Sequence, residues 1–401
     1  MSKQKAMNDG YNWNKVRRAF GLTRELAYFQ SAGMSPIPKK VLKTIEKAYE
    51  KIYLHGDMYW PDDMEQVGEL RGMLAKHINT KAENISVMQN TSTAFSMVAL
   101  SLKKAFGENF NMISTQDEFP ATNVPFEYQG IQIKYAQPED GRYPVEKLME
   151  LVDENTRGIL CSYVQYGTGF RQDLEALGKA AKEKGLLFIV NATQGFPIFP
   201  IDVEKMHIDL LTASLHKWGC AAHVGTLFFT SPEYRKRFPA PIAGWLSVMP
   251  PPDDFIPTAK GASLTVYPDA MQYNFGTINF QNLLGLKTAF EFMEEIGWER
   301  IRKRILVLTD KTIARLMQIE AVEILSPHSQ SYEQSGIISI NLKGYSNPDC
   351  VSYLDKAGIV TCLRQHNIRI SCNFFNNRED IDRLVEGIKG YLQQAEKSKG
   401  T

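Results

Sequence analysis

Leu210-Leu211-Thr212-Ala213-Ser214-Leu215-His216-Lys217-Trp218-Gly219 is the stretch on which the reading of this chain turns. The apolar run from Ile208 to Leu211 reads as a buried strand. It ends in a short polar cluster that presents one lysine. A lysine in that place forms a Schiff base with a carbonyl compound once its ammonium is partly desolvated and its pKa falls. Ser214 and His216 offer an O–H and an N–H donor to an anionic group beside it. Taken alone, the pattern also fits an ordinary strand-end turn with a solvated lysine. What separates the two is the company Lys217 keeps along the chain.

Upstream, Asn84-Ile85-Ser86-Val87-Met88-Gln89-Asn90 is a short apolar strand that runs into Thr91-Ser92-Thr93, and helical spacing follows over 94–106. A strand–hydroxyl–helix unit of this kind is a phosphate site, because a helix N-terminus leaves free N–H groups at the positive end of its dipole. The plainer alternative is that Ser92 or Thr93 caps the helix. Residues 111–114 and 131–135 read as further strands, with Asp117-Glu118-Phe119-Pro120-Ala121-Thr122-Asn123-Val124-Pro125-Phe126 between them. A strand over 158–163 ends near Gln165. An amphipathic helix over 173–184 has Asp173 as N-cap and Gly185 just past its end. Residues 186–190 are apolar on both faces, as in a parallel sheet, and stop at Asn191-Ala192-Thr193-Gln194.

Strand and helix alternate in this way from 85 to 230, which predicts an α/β fold built on a doubly wound, mainly parallel sheet. Ligands then bind at the carboxyl ends of the strands. Ser92 and Thr93, Gln165, Asn191 and Gln194, and Ser214 and Lys217 all fall just beyond strand ends. One composite site along that edge is the expectation.

Composition narrows the partners. The 401 residues carry 46 basic and 45 acidic side chains, so no basic field exists to draw nucleic acid or anionic lipid. No apolar run approaches the ~18–20 residues of a membrane span, and the first ten residues are polar. The five cysteines are scattered without pairing or metal-type spacing. With seven dispersed histidines and no HExxH or CxxC pattern, neither a metal site nor a disulfide framework is expected. A cytoplasmic location is expected. Pro250-Pro251-Pro252 and the poorly periodic 253–270 suggest a surface or lid segment. Beyond 280, helices and short strands alternate in an α+β pattern. The expected domains are a large α/β domain over 36–279 and a small one from 1–35 with 280–401.

These clusters, in this order, resemble the class V aminotransferase family. This is a group of fold type I pyridoxal-phosphate enzymes that includes cysteine desulfurases and isopenicillin N epimerase. The resemblance runs from about residue 29 to 392. It implies pyridoxal 5′-phosphate as cofactor, with Lys217 as the Schiff-base lysine and Ser92, Thr93, Ser214 and His216 at the phosphate. It further implies that Phe119 stacks on the pyridine ring and that Gln194, with Gln165, lies near the phenolic oxygen. Thr277 of Gly276-Thr277 reaches the phosphate of a partner subunit, so a homodimer with the site at its interface is expected. Arg369 takes the carboxylate of a small amino-acid-like substrate.

Two departures qualify the carry-over. Where the family places an aspartate against the pyridine nitrogen, this chain has Asn191, which hydrogen-bonds without a full charge and leaves a weaker electron sink. Desulfurases carry a nucleophilic cysteine on a loop of the C-terminal half, and residues 326–335 contain none. The resemblance implies, most simply, an aminotransferase. A C–S lyase or epimerase of the same fold is the alternative, and a catalytically weakened binding protein of this fold is the reading from another class.

Overall fold

The computed structural model describes residues 10–249 and 264–399. The proline run and most of the segment read as a lid lie outside the described residues. From the N-terminus, α1 (Trp13–Arg17) and β1 (Ala27–Tyr28) precede two long helices, α2 (Lys39–His55) and α3 (Trp60–His77). The alternating region follows: β2 (Ile85–Met88), α4 (Thr91–Phe106), β3 (Asn111–Thr115), α5 (Pro120–Tyr128), β4 (Gln132–Ala136) and α6 (Val145–Met149). It continues through β5 (Thr156–Ser162), α7 (Leu174–Glu183), β6 (Leu187–Asn191), β7 (Leu210–Ser214), β8 (Thr226–Thr230) and α8 (Pro232–Arg237). The last part comprises α9 (Phe280–Ile296), α10 (Trp298–Leu316), β9 (Val322–Ile324), β10 (Ile337–Leu342) and α11 (Asn347–Lys356). It ends with β11 (Ile359–Val360), β12 (Cys362–Arg364), β13 (Asn367–Ser371) and α12 (Arg378–Lys399).

Seven strands form the main sheet in the order β2-β8-β7-β6-β5-β3-β4. The run from β4 to β7 is parallel, and β8 lies antiparallel to both β7 and β2. The expected mainly parallel sheet is therefore present. The physical reason is visible in β6, where all five residues are buried. Phe188 and Val190 join one apolar cluster, with α2, α3, α7 and α9, while Leu187 and Ile189 join another, with α4 and α5. The period-2 alternation serves two cores at once.

The second sheet is antiparallel, in the order β12-β13-β10-β9, and packs under α10, α11 and α12. β1 pairs in parallel with β11 as a separate two-stranded sheet, and Arg17 grips Asp380 of α12 through both guanidinium nitrogens at 2.6 and 2.8 Å, which ties the N-terminal segment to the C-terminal elements. Expected to open the small domain, α9 shares the large cluster instead: Leu283, Leu286 and Phe290 are buried there against the helices of the first half. Within α10, Ile301 and Ile305 belong to the large cluster, whereas Leu308, Ile313 and Leu316 belong to the small one. The chain passes from one core to the other inside a helix.

α7 approaches the loop after β6 so closely that a Cβ on Gly178 would overlap the carbonyl oxygen of Met206. Backbone yields less readily than a side chain. Gly178→Ala should therefore destabilise the fold by ~2–3 kcal/mol, read as a lower urea midpoint. An unchanged midpoint would mean that α7 shifts freely on the sheet.

Candidate active site

Lys217 follows β7 on the edge where β5, β6 and β7 end, as the strand alternation requires. Its side chain is half-buried at the wall of a cavity of ≈ 310 Å³. Ser92, Phe119, Asn191, Gln194, Ser214, His216 and Arg369 line the same cavity, so most of the residues picked from the sequence converge. Burial first of all, and then the charges of Arg369 and Arg364, lower the Lys217 pKa to about 7. The ammonium sits 5.2 Å from the centroid of Phe119, over the face of that ring.

Each wall has a local cause. Asn90, not Ser92 or Thr93, caps α4: its Oδ1 accepts the Thr93 N–H at 2.8 Å. The Thr93 hydroxyl donates to the same Oδ1 at 3.1 Å, and Thr91 pairs with Ser214 at 2.7 Å. The Asn191 amide is held at both ends, its Oδ1 accepting the Thr193 N–H at 3.1 Å and its Nδ2 donating to Thr122 at 2.9 Å. A backbone N–H only donates, so this contact fixes which end is oxygen. Gln194 is held likewise: Trp218 Nε1 donates to its Oε1 at 2.8 Å, and its Nε2 donates to the Ala32 carbonyl at 2.9 Å. Burial, then the neighbouring Lys217 and His223, push the His216 pKa down to about 4, so the imidazole is neutral at pH 7.

Arg369 is 1% exposed, and Nη1 donates to the Tyr166 carbonyl at 3.0 Å. Its Nε and Nη2 are buried without a partner. Leaving donors of a buried cation unpaired is unfavourable by several kcal/mol unless a ligand takes them, so the arginine is set for an anion.

Three of the residues picked from the sequence line other places. Gln165 does not line the cavity: its Nε2 donates to Thr115 at 3.0 Å, beneath the edge. Thr93 and Thr277 line a neighbouring cavity of ≈ 510 Å³, which shares Asn90, Ser214 and His216 with the first. Residues 326–335 are pinned away from the site, where Ser335 donates to the Gly169 carbonyl at 2.7 Å and Arg171 to that of Gln334 at 3.0 Å.

Other residues went unread in the sequence. Thr91, Ser162, Tyr166, Thr193 and Arg364 line the cavity too. Glu118 lies fully buried beneath it, accepting the N–H groups of Phe119 at 2.8 Å and Ser162 at 2.7 Å and the Ser162 hydroxyl. Burial raises its pKa. Among the described residues no cysteine lines either cavity and no cluster suits a metal ion. All five thiols are buried, and burial pushes Cys220 and Cys350 up to about 12 and Cys372 to about 11.

The profile of the family Aminotransferase class-V matches residues 27–384. The chain belongs to that family. It is an enzyme of the pyridoxal-phosphate-dependent class V group. It is similar to a probable cysteine desulfurase of Borreliella burgdorferi, at 25% identity over 92% of each chain. Its fold matches the apo cysteine desulfurase of Thermococcus onnurineus, with a TM-score of 0.84, 22% identity and coverage of 95% of this chain and 98% of that one. It also matches the cystine C-S lyase C-DES in complex with its product cysteine persulfide, with a TM-score of 0.82, 17% identity and coverage of 90% and 97%.

The donor set suits the family's cofactor. A partly desolvated lysine faces an aromatic ring, two hydroxyls and a helix N-terminus stand ready for a phosphate, and the unpaired nitrogens of Arg369 await an anion. No helix among the described residues is long and apolar enough to cross a membrane.

The lowered Lys217 pKa carries a stability consequence. In the cofactor-free chain the folded lysine releases its proton near pH 7, whereas the unfolded one holds it to about 10.5. The unfolded state therefore binds more protons in that window, and this group's contribution to stability rises with pH from about 7 to 10.5. Lys217→Met should flatten that part of the stability–pH curve in the apoprotein and raise stability below pH 7. Superimposable curves for the two proteins would mean an ordinary, solvated lysine.

Proposed function

We propose that this enzyme is a C–S lyase. It acts on a small cysteine-like amino acid and releases the sulfur directly, without capturing it on a thiol of its own. The absence of a cysteine from the described cavity walls carries the reading, in a chain whose relatives bear the names cysteine desulfurase and cystine C-S lyase. Transamination, the simplest expectation from the sequence, has less support, because those names point to sulfur chemistry and the cleavage alternative fits them.

Pyridoxal phosphate, when bound, supplies an electron sink for breaking bonds next to the substrate's amino carbon. The chain's own residues do the rest. Lys217 Nζ, with a pKa near 7, is matched to accept and return a proton close to neutral pH. Arg369 takes the α-carboxylate through its two unpaired nitrogens. Ser92, Ser214 and His216, with Thr91, hold the phosphate at the start of α4. Phe119 and Tyr166, whose rings meet edge to face at 5.2 Å, stand together on one wall of the cavity. Asn191 offers a neutral amide where the resemblance to the family implies a carboxylate. For cysteine itself the balance is cysteine plus water to pyruvate, ammonia and hydrogen sulfide. A desulfurase leaves alanine and a protein persulfide instead. We further propose a homodimer, in which Thr277 completes the phosphate site of the partner subunit.

Product analysis tests the reading. Cysteine or cystine should yield pyruvate and ammonia, with no alanine and no protein persulfide. Lys217→Ala should abolish the borohydride-fixed cofactor and lower turnover by at least ~10²-fold. Cys362→Ala, which removes the thiol opposite Arg369, should retain turnover. Alanine formed with a persulfide on the protein, or keto acid formed without loss of sulfur, would overturn it. Light scattering should give twice the chain mass, and a monomer that keeps its cofactor would contradict the dimer.

A further inference from the structure

Arg369 accounts for one acid group of the substrate, yet the cavity holds a second guanidinium. Arg364 lies on β12 and Arg369 on β13, and the register places Cys362 opposite Arg369 and Arg364 opposite Asn367. Side chains opposite one another in an antiparallel pair share a face, as do those two apart on a strand. Arg364 and Arg369 are therefore diagonal neighbours on the cavity face, their backbones ~7–8 Å apart. Ile368 and Leu363 turn the other way, into the small core. Both arginines line the lysine cavity, and no aspartate or glutamate does so. Among the described residues neither guanidinium has an ion-pair partner; Arg364 donates only to the Leu363 carbonyl, at 2.7 Å.

The turn between the strands is built to hold this arrangement. Gln365 and His366 both have positive φ, at 50° and 66°, in a two-residue hairpin loop without glycine. Such strain persists only where the surroundings impose it. Here Gln365 donates to Asp117 at 2.9 Å, Asn347 donates to the His366 carbonyl at 3.0 Å, and Gly167 leaves room that a Cβ would fill. The arginine pair is thus locked over the large sheet. The residues read as the phosphate end, Thr91, Ser92, Ser214 and His216, line this cavity too, and Ser214 and His216 also border the neighbouring one, which neither arginine lines.

We infer that Arg364 is a specificity-determining residue that receives a second oxyanion, so that the preferred substrate is a cysteine-derived amino acid whose side chain ends in an acid group, with cysteine itself the weaker substrate. This rests on the reading of the cavity as an amino-acid site and deepens it by naming the substrate class. Two guanidiniums and a lysine with no carboxylate among them repel one another, and a ligand with two acid groups relieves that repulsion where a ligand with one does so only in part.

Calorimetric titration of the cofactor-loaded enzyme with succinate and propionate, which share a carboxylate and differ in the second, tests the inference without turnover. Succinate should bind at least ~10-fold more tightly, since a charge-assisted contact separates the two. Arg364→Gln should erase that preference while leaving propionate binding and the cofactor content unchanged, and Arg364→Lys should keep part of it. Equal affinity of the wild type for both acids would overturn the inference. So would an Arg364→Gln variant that weakens both acids alike, or one that loses cofactor instead. If Arg364→Gln fails to fold, the wild-type comparison and Arg364→Lys still decide. Failure to release sulfur from any amino acid would remove the lyase reading alone, because the two-acid preference is read from binding.

Discussion

Positive charge withdrawn from water, with no negative side chain on the surrounding wall, is the constraint around which this structure is arranged. Lys217, Arg364 and Arg369 face one cavity, Arg369 buried and the other two half-buried, and no carboxylate lines that cavity to balance them. A fold pays for such an arrangement in stability, and the outlay is sensible only where ligands bring the missing charge. Burial first, and then the same imbalance, lower the lysine's pKa toward neutrality, where it is useful as a base and as a nucleophile. One electrostatic fact thus links the depressed lysine, the unpaired arginine nitrogens and the acidic ligands proposed for the site.

Neutral hydrogen bonds hold that charged cavity in shape. Thr91 to Ser214, Thr122 to Asn191 and Trp218 to Gln194 are side-chain contacts between different strand ends, each at or below 2.9 Å. Glu118 anchors the set from below, accepting the N–H groups of Phe119 and Ser162 where α5 begins and β5 ends. Buried networks of this kind fix orientation, because every alternative leaves a polar group unsatisfied. Asn191 illustrates the effect. Its amide cannot flip without placing NH₂ against the Thr193 N–H.

The small sheet contributes through its hairpin. β13 is buried and carries Arg369, β12 carries Arg364, and the strained turn between them rests on Asp117 and Gly167 of the large unit. The arginines reach the lysine cavity because α10 and the N-terminal segment join the two cores without a flexible linker.

The sequence determined the sheet, the edge and the lysine. Periodicity sees which faces are apolar, and the strands around 187–191 and 210–214 are buried on both faces, so their composition is unmistakable. Residues just beyond their ends then share an edge by topology alone, which is why Lys217, Asn191, Gln194 and Ser214 were legible. Gln165 was misplaced by the same logic, since a strand end fixes a position and not the direction of a side chain. Arg364 was invisible because its hairpin has no glycine or asparagine at the turn, and the cross-strand neighbour that gives it meaning lies on the far side of that turn. Asn90 was passed over as a cap because three hydroxyl residues follow it. Pairing across strands, side-chain direction and the balance of charge in a cavity depend on contacts between residues far apart in the chain. Only the tertiary structure could decide them.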